Sequence, residues 1–408
     1  MRRTMSDRLP EHIGQQIRLM GWVHRRRVLR DVAFLILRDA HGLAQIVVRD
    51  GGRLTPFPEE TPVSVVGEVI ARPAAPHGVE VVEPAITALS DPAAAPPFDL
   101  YRPELRAGLP TLLDHAPVAL RHPTRAHVQR VAAAAVGAFR GALERQGFVE
   151  IHTPKIVGAA TESGADLFAL DYFGRPAYLA QSPQLYKQIM VGALERVYEV
   201  GPVFRAEPSD TARHLASYVS LDAELGFIED HRDVIAVCHL ALRAMLQAIP
   251  SNDLRVPAEP LIVHFTDVAE GEDLSPADER RIGEWAGREH GTDAVYVTGY
   301  PTAHRAFYTH PDPARPGHSR AFDLIFRGVE LVSGAQRLHR HDDYVRALAE
   351  RGETDLTPYA AYLDAMRHGM PPHGGFAFGL ERFVAAALGL PNVRHAALFP
   401  RDLHRLAP

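Results

Sequence analysis

The chain has 408 residues, 46% of them apolar, and 44 Lys plus Arg against 50 Asp plus Glu for a formal net charge of −6. That length allows two or three domains with real cores, and the acidic balance excludes nucleic-acid binding by overall basicity, so any such contact comes from local patches. The single cysteine, Cys238, rules out a disulfide framework and a cysteine zinc site, and the histidines show no HExxH spacing. No apolar run approaches the ~18 residues of a membrane span and no export segment opens the chain, so the expectation is a cytoplasmic protein with no membrane partner.

In chain order, residues 16–90 read as five short strands with period-two alternation: QIRLMGWVH, VAFLILRD, LAQIVVRD, PVSVVGEVIA and GVEVVEPAITAL, with turn signals between them. Such a pattern fits an OB-fold that binds oligonucleotides on strands 2 and 3, or another small barrel that only packs on a neighbour. Arg25, Arg26, Arg27 and Arg30 crowd one loop, either as a phosphate-facing patch or as a solvated edge. Phe34 and Gln45, on strands 2 and 3, could stack on a base and read its edge. Residues 91–122 form a linker rich in Pro and Ala. A long helix follows, with Val128, Val131, Ala135, Phe139 and Leu143 in one core-packing stripe. Beyond it, strand-like runs alternate with helical stretches, including helices at 231–248 and 376–390. The fold class is therefore α+β: residues 1–90 as the barrel, 91–122 as the linker, and 123–408 as an antiparallel sheet backed by helices.

Two segments concentrate the chemistry. Val197–Glu229 reads as strand, loop and strand, with Arg205, Glu207, Arg213, His214, Asp222 and Glu224 at the strand bases and around the loop. Arg205 can fork onto phosphate or carboxylate oxygens, and Tyr218 offers a flat ring to a purine. GGFAFGLERF, Gly374–Phe383, leads a glycine-rich turn into Arg382. Only two lysines occur, Lys155 and Lys187, in a chain that otherwise uses arginine, which suggests a specific need at Lys187.

These residues carry a resemblance. FRAE, RHL and LDAE resemble motif 2 of class II aminoacyl-tRNA synthetases, FGLER motif 3, and GFVEIHTPKI motif 1. QSPQLYKQ, ELVSGAQRLH and the terminal ALFPRD are similar to aspartyl-tRNA synthetases of the shorter archaeal type. The resemblance runs over nearly the whole chain and implies an OB-fold anticodon domain followed by a six-stranded antiparallel catalytic domain. It implies ATP-dependent attachment of L-aspartate to tRNA through an aspartyl-adenylate. By this resemblance Arg205 and Arg382 are catalytic, holding the α- and γ-phosphates. Glu207, Arg213, His214, Tyr218 and Glu330 complete the ATP site, and Glu330, Asp323 and Ser333 hold Mg²⁺. Arg337 and Lys187 bind the aspartate side chain, with Glu162, Ser182, Gln184, Asp222 and Ser333 around it. His24, Arg27, Phe34, Gln45, Pro76 and Glu80 face the anticodon.

The chain departs from the family pattern at Ser163, Ser217 and Ala377, and residues 266–294 look shortened. His24 and Pro76 are the pair found in members of this type that charge both tRNA(Asp) and tRNA(Asn). The expectation is therefore a non-discriminating ligase whose Asp-tRNA(Asn) passes to a tRNA-dependent amidotransferase. The alternatives are a discriminating enzyme, an asparaginyl-tRNA synthetase, whose QSPQLYKQ counterpart normally lacks the lysine, and a synthetase-like asparagine synthetase, which lacks the barrel. A homodimer is expected, sharing the long-helix stripe and the Phe148–Ile151 strand.

Overall fold

The computed structural model describes residues 1–158, 167–206, 208, 211–250 and 253–407. Contact density divides the chain into two compact units, Met1–Thr124 and Arg125–Pro408.

In the first unit, β1 (Gln16–Val28), β2 (Ala33–Arg38), β3 (Leu43–Val48), β4 (Pro62–Ala71) and β5 (Val79–Ala88) close into a barrel in the order β1-β2-β3-β5-β4. Alternation drives closure: Leu35, Leu37, Ile46, Val48, Val63 and Val81 are fully buried in its core. Two short helices follow, α1 (Leu109–Asp114) and α2 (Ala116–Ala119). Arg25, Arg26 and Arg27 stand on β1, which runs four residues further than GWVH, so three of the four clustered arginines are strand and only Arg30 lies in the loop. Because strand side chains alternate, Arg26 turns away to Glu59 at 2.9 Å while Arg25 and Arg27 stay exposed.

The second unit opens within α3 (Pro123–Glu144), which precedes the edge strand β6 (Val149–Glu150). A small sheet of β7 (Ile156–Val157), β8 (Ala169–Tyr172) and β9 (Arg175–Leu179) comes next. Then follow α4 (Gln184–Leu194), β10 (Arg196–Phe204), β11 (Ser217–Gly226), α5 (His231–Gln247), β12 (Ile262–His264), α6 (Phe265–Val268) and α7 (Pro276–Glu289). The chain continues through β13 (Ala294–Thr298), β14 (Ala321–Phe326), β15 (Val329–Gln336), α8 (His341–Glu350), α9 (Ala360–Arg367), β16 (His373–Gly379) and α10 (Leu380–Leu388). The main sheet is ordered β12-β13-β14-β15-β16-β11-β10-β6. Its six central strands are antiparallel, and β12 and β6 add a parallel strand at each edge. The second expected helix starts at Leu380, not at residue 376, because Phe376 and Phe378 alternate as strand residues into the core.

The two sheet faces have different chemistry because the side-chain period is two. Leu221, Ala223, Phe322, Leu324, Phe376 and Phe378 face α3 and α5 in the largest core cluster. The intervening Asp222, Glu224, Asp323 and Gly375 point to the other side. The α3 stripe from Val128 to Leu143 is spent inside this core, so it is not free to form a subunit interface as the sequence suggested. Val149 on β6 remains 44% exposed. Lys155 pairs with Glu199 at 2.9 Å. The region around residues 266–294 supplies α7, whose Ser275 forms a capping box with Asp278.

Candidate active site

Four strands lay out the floor of a cleft of about 450 Å³. In register across β11, β16, β15 and β14 stand Asp222, Ala377, Ser333 and Asp323, one from each strand. Ala377 has no positive φ, so the alanine fits this row as ordinary strand. Around the floor the cleft gathers Ser182, Gln184, Lys187, Arg205, Arg213, His214, Tyr218, Glu330, Arg337 and Arg382. Glu162, Ser163 and Glu207 lie outside the described residues.

One end of the cleft is a closed ionic network. Lys187, 1% exposed, donates to Asp222 Oδ1 at 3.0 Å and stands 3.4 Å from Glu224 Oε2. Arg337 donates through Nε to Glu224 Oε1 at 2.9 Å and through Nη2 to Glu224 Oε2 at 3.3 Å and to the Gly375 carbonyl at 3.1 Å. Ser220 donates to Asp222 Oδ2 at 2.5 Å. Burial alone would raise the Glu224 carboxyl, but Arg337 and Lys187 outweigh it and hold the group below its ordinary value. Two cations and two carboxylates thus neutralise each other in the apolar interior, which fixes both cations in place. Sequence reading noticed Glu224 but gave it no task; its alternation with Asp222 on a strand was the available signal. Gly375 makes the pairing possible, since a Cβ there would lie 2.0 Å from Glu224 Oε2.

Behind this network lies a buried hub that the sequence did not reveal. His373 Nδ1 donates to the Pro371 carbonyl, which can only accept, at 2.9 Å. His373 Nε2 lies 3.2 Å from Gln188 Oε1. Tyr362 lies 2.6 Å and Tyr344 3.2 Å from the same atom. The Arg337 amide bonds the His373 carbonyl at 2.8 Å, so this hub supports the arginine. Burial depresses His373 to about 4, against the pull of Glu224. The unfolded chain titrates near 6.5 and so takes up this proton first; stability should fall as pH drops from about 6.5 to about 4, by up to ~3 kcal/mol. Melting temperatures of His373→Asn should show a shallower fall across that window, and an unchanged slope would contradict the assignment.

The other end of the cleft is lined by Arg205, Arg213 and Arg382. The Arg205 guanidinium lies 5.8 Å from the Tyr218 ring centroid. Arg382 donates to the Glu330 carbonyl at 3.1 Å and lies 3.9 Å from its carboxylate. Arg213 bonds Glu279 of α7 at 2.9 Å, and the same Glu279 oxygen accepts the Glu330 amide at 2.8 Å. Arg394 donates to the Thr211 carbonyl at 3.0 Å and pairs with Asp402 at 2.6 Å, so the C-terminal segment braces the loop. The Glu330 side chain is 41% open to the cleft, but protein atoms enclose its remaining sides. This desolvation, with the like charge of Asp323, pushes its carboxyl up to about 7 against Arg382 and Arg305. Asp323 Oδ1 is buried without a hydrogen bond of good geometry among the described residues. An orphaned carboxylate oxygen beside a carboxyl that resists charging suits a divalent cation. No cluster of three or more acidic, His or Cys ligands occurs among the described residues.

On the barrel, Arg27, Phe34 and Val47 pair across β1, β2 and β3, and Arg25, Ile36 and Gln45 form the next row on the same outer face. Gln45 Nε2 donates to Glu80 at 3.1 Å, tying two expected base-reading residues together. Phe34 is half-buried. Pro76 opens a single tight turn, Pro76–Gly78. His24 is not at a strand end: it is the extra residue of a β-bulge between Val23 and Arg25, 7% exposed. Its Nδ1 lies 3.3 Å from Arg38, and Tyr101 covers it edge-on at 5.6 Å. Burial and Arg38 lower His24 to about 4, so the ring is neutral near pH 7.

Barrel, antiparallel floor and charged cleft together define a nucleotide-using, tRNA-directed synthetase of class II architecture. The chain belongs to the class II tRNA synthetases of the D, K and N group, whose family model matches residues 109–403, and residues 17–89 match the OB-fold nucleic acid binding domain. It is 43% identical to the aspartate–tRNA(Asp/Asn) ligase of Thermus thermophilus over 100% of both chains. It is 44% identical to the ligase of the same name in Deinococcus radiodurans, covering 100% of this chain and 99% of that one. Among solved structures, the asparaginyl-tRNA synthetase of Pyrococcus horikoshii with asparaginyl-adenylate superimposes with a TM-score of 0.89 at 32% identity, covering 98% of each chain.

Proposed function

We propose that this chain activates L-aspartate with ATP and attaches it to both tRNA(Asp) and tRNA(Asn). The observation that carries the reading is the Lys187–Arg337 pair at the closed end of the cleft, two buried cations with fixed geometry. Both cations line the cleft, so a carboxylate side chain can accept from the N–H groups they turn toward it, whereas asparagine would turn an NH₂ donor toward donors, a mismatch of the kind that costs about 10⁴-fold. Lys187 also favours aspartate over the asparagine chemistry of the Pyrococcus enzyme. Aspartate's α-carboxylate then attacks the α-phosphate of ATP, with pyrophosphate leaving in line. Arg205 holds the α-phosphate, Arg382, Arg213 and His214 take the γ end, and Tyr218 stacks the adenine. Asp222, Ser182 and Gln184 receive the α-ammonium. Asp323 and Glu330, with Ser333 beside them, would hold Mg²⁺, which would supply charge neutralisation for the phosphates.

Charging assays on the two tRNA transcripts test this reading. Aspartate should be attached to both, and aspartylation of tRNA(Asn) more than ~100-fold poorer than of tRNA(Asp) would refute the dual specificity, given that one mismatched contact is worth about 1–3 kcal/mol. Pyrophosphate exchange with asparagine instead of aspartate would refute the amino-acid assignment. Asp-tRNA(Asn) so made requires an amidotransferase as its consumer, and the enzyme acts in the cytoplasm. It works as a homodimer through the β6 edge; light scattering that finds a 44.9 kDa monomer still charging tRNA would exclude this.

Glu279 joins the two halves of the ATP site through one oxygen. Glu279→Ala should raise KM for ATP about tenfold, the ~1.4 kcal/mol of a charged hydrogen bond, with KM for aspartate little changed. Exchange kinetics with an unchanged ATP KM would remove Glu279 from this role.

A further inference from the structure

Arg305 was not singled out in the sequence, yet it meets the candidate metal ligands most directly. Its guanidinium carbon lies 3.7 Å from the Tyr300 ring centroid. Its Nη2 donates to Asp323 Oδ2 and to Asp273 Oδ1, both at 3.1 Å. The arginine side chain is 14% exposed and that of Asp323 5%, whereas Asp273 is 65% exposed at the cleft rim. One oxygen of Asp323 is thus taken by a guanidinium, the other is buried without a hydrogen bond of good geometry, and the Tyr300 hydroxyl also faces this carboxylate.

We propose that Arg305 is a resident counter-cation for Asp323, so that the nucleotide-free enzyme holds a divalent metal weakly and acquires it together with ATP. The inference rests on the reading of Asp323 and Glu330 as the metal pair. Without Arg305, Asp323 would sit buried near Glu330 with its charge uncompensated, and free cations would be drawn to it. With Arg305 present, a divalent ion must compete with a charge already in place, and phosphates arriving with the metal supply the extra ligands that tip the balance. The stack on Tyr300 keeps the guanidinium from leaving, while Asp273 gives it a second carboxylate to lean on when Asp323 turns to the metal. Arg305 is accordingly a positioning residue.

Mn²⁺ binding to the full-length, nucleotide-free protein, read from the free-ion electron paramagnetic resonance signal, tests this. Arg305→Met should bind Mn²⁺ at least tenfold more tightly than the unaltered protein, and Arg305→Lys, which keeps the charge, should not. Arg305→Gln provides the same comparison if the methionine variant fails to fold, as judged by thermal melts. Equal or weaker binding by the uncharged variants overturns the proposal. The double variant Arg305→Met/Asp323→Asn separates the two readings: loss of the gain supports Asp323 as the ligand, and persistence of the gain refutes the metal assignment itself.

Discussion

Arg337→Leu is expected to abolish aspartate activation, lowering kcat/KM by 10³-fold or more, and to destabilise the fold as well. Glu224 is fully buried and would keep only Lys187, 3.4 Å away. Removing one partner of a buried ion pair costs about 3–5 kcal/mol, because the remaining charge is left uncompensated. A second substitution distinguishes the two losses. Glu224→Gln in the Arg337→Leu background should recover much of the melting temperature and none of the activity, because the substrate carboxylate still lacks its fork. Lys187→Met should cost about 2–4 kcal/mol in kcat/KM for aspartate by the same reasoning. Thermal melts and pyrophosphate exchange measure both quantities, and a kcat/KM within threefold of the parent would show that Arg337 is not a substrate ligand.

Gly375→Ala should be nearly as damaging although it adds one methyl group. That carbon would lie 2.0 Å from Glu224 Oε2 and 2.2 Å from the Ala223 carbonyl oxygen, so either the carboxylate leaves Arg337 or β11 and β16 separate. Overpacking of this kind costs about 3 kcal/mol or more, since the obstruction includes backbone. Gly137→Ala on α3 is the control: its Cβ would meet nothing within 4 Å, and helix propensity makes it stabilising by about 0.5–1 kcal/mol. If Gly375→Ala melts with the parent and keeps its activity, the close approach of Glu224 is not needed.

The five barrel strands were legible because each half-buried strand writes its alternation locally, as Leu35 and Leu37 or Ile46 and Val48 do. The antiparallel floor was legible in the same way on β11. Four features were hidden. The arginines of β1 looked like a loop because a run of charges breaks the apolar alternation, although Arg26 turns to Glu59 and the strand continues. The α3 stripe carries the same apolar signature whether it packs on its own sheet or on a second subunit. The partners that organise the cleft are far apart in sequence: Arg337 and Glu224 are separated by 113 residues, and Arg213 and Glu279 by 66. Local periodicity carries no record of such pairings. The bulge that buries His24 likewise shows only in the register between β1 and β2.

An enzyme that makes an activated aspartyl ester of AMP holds an acylating agent against its own side chains, and a free amine would be its first victim. The locked lysine answers this. Lys187 is paired with Asp222 at 3.0 Å and stands 3.4 Å from Glu224, so its amine is engaged by carboxylates. The only other lysine, Lys155, is tied to Glu199, and guanidinium groups, poor nucleophiles, supply all remaining basic side chains other than histidine. The chain is thereby protected from labelling itself with its own intermediate.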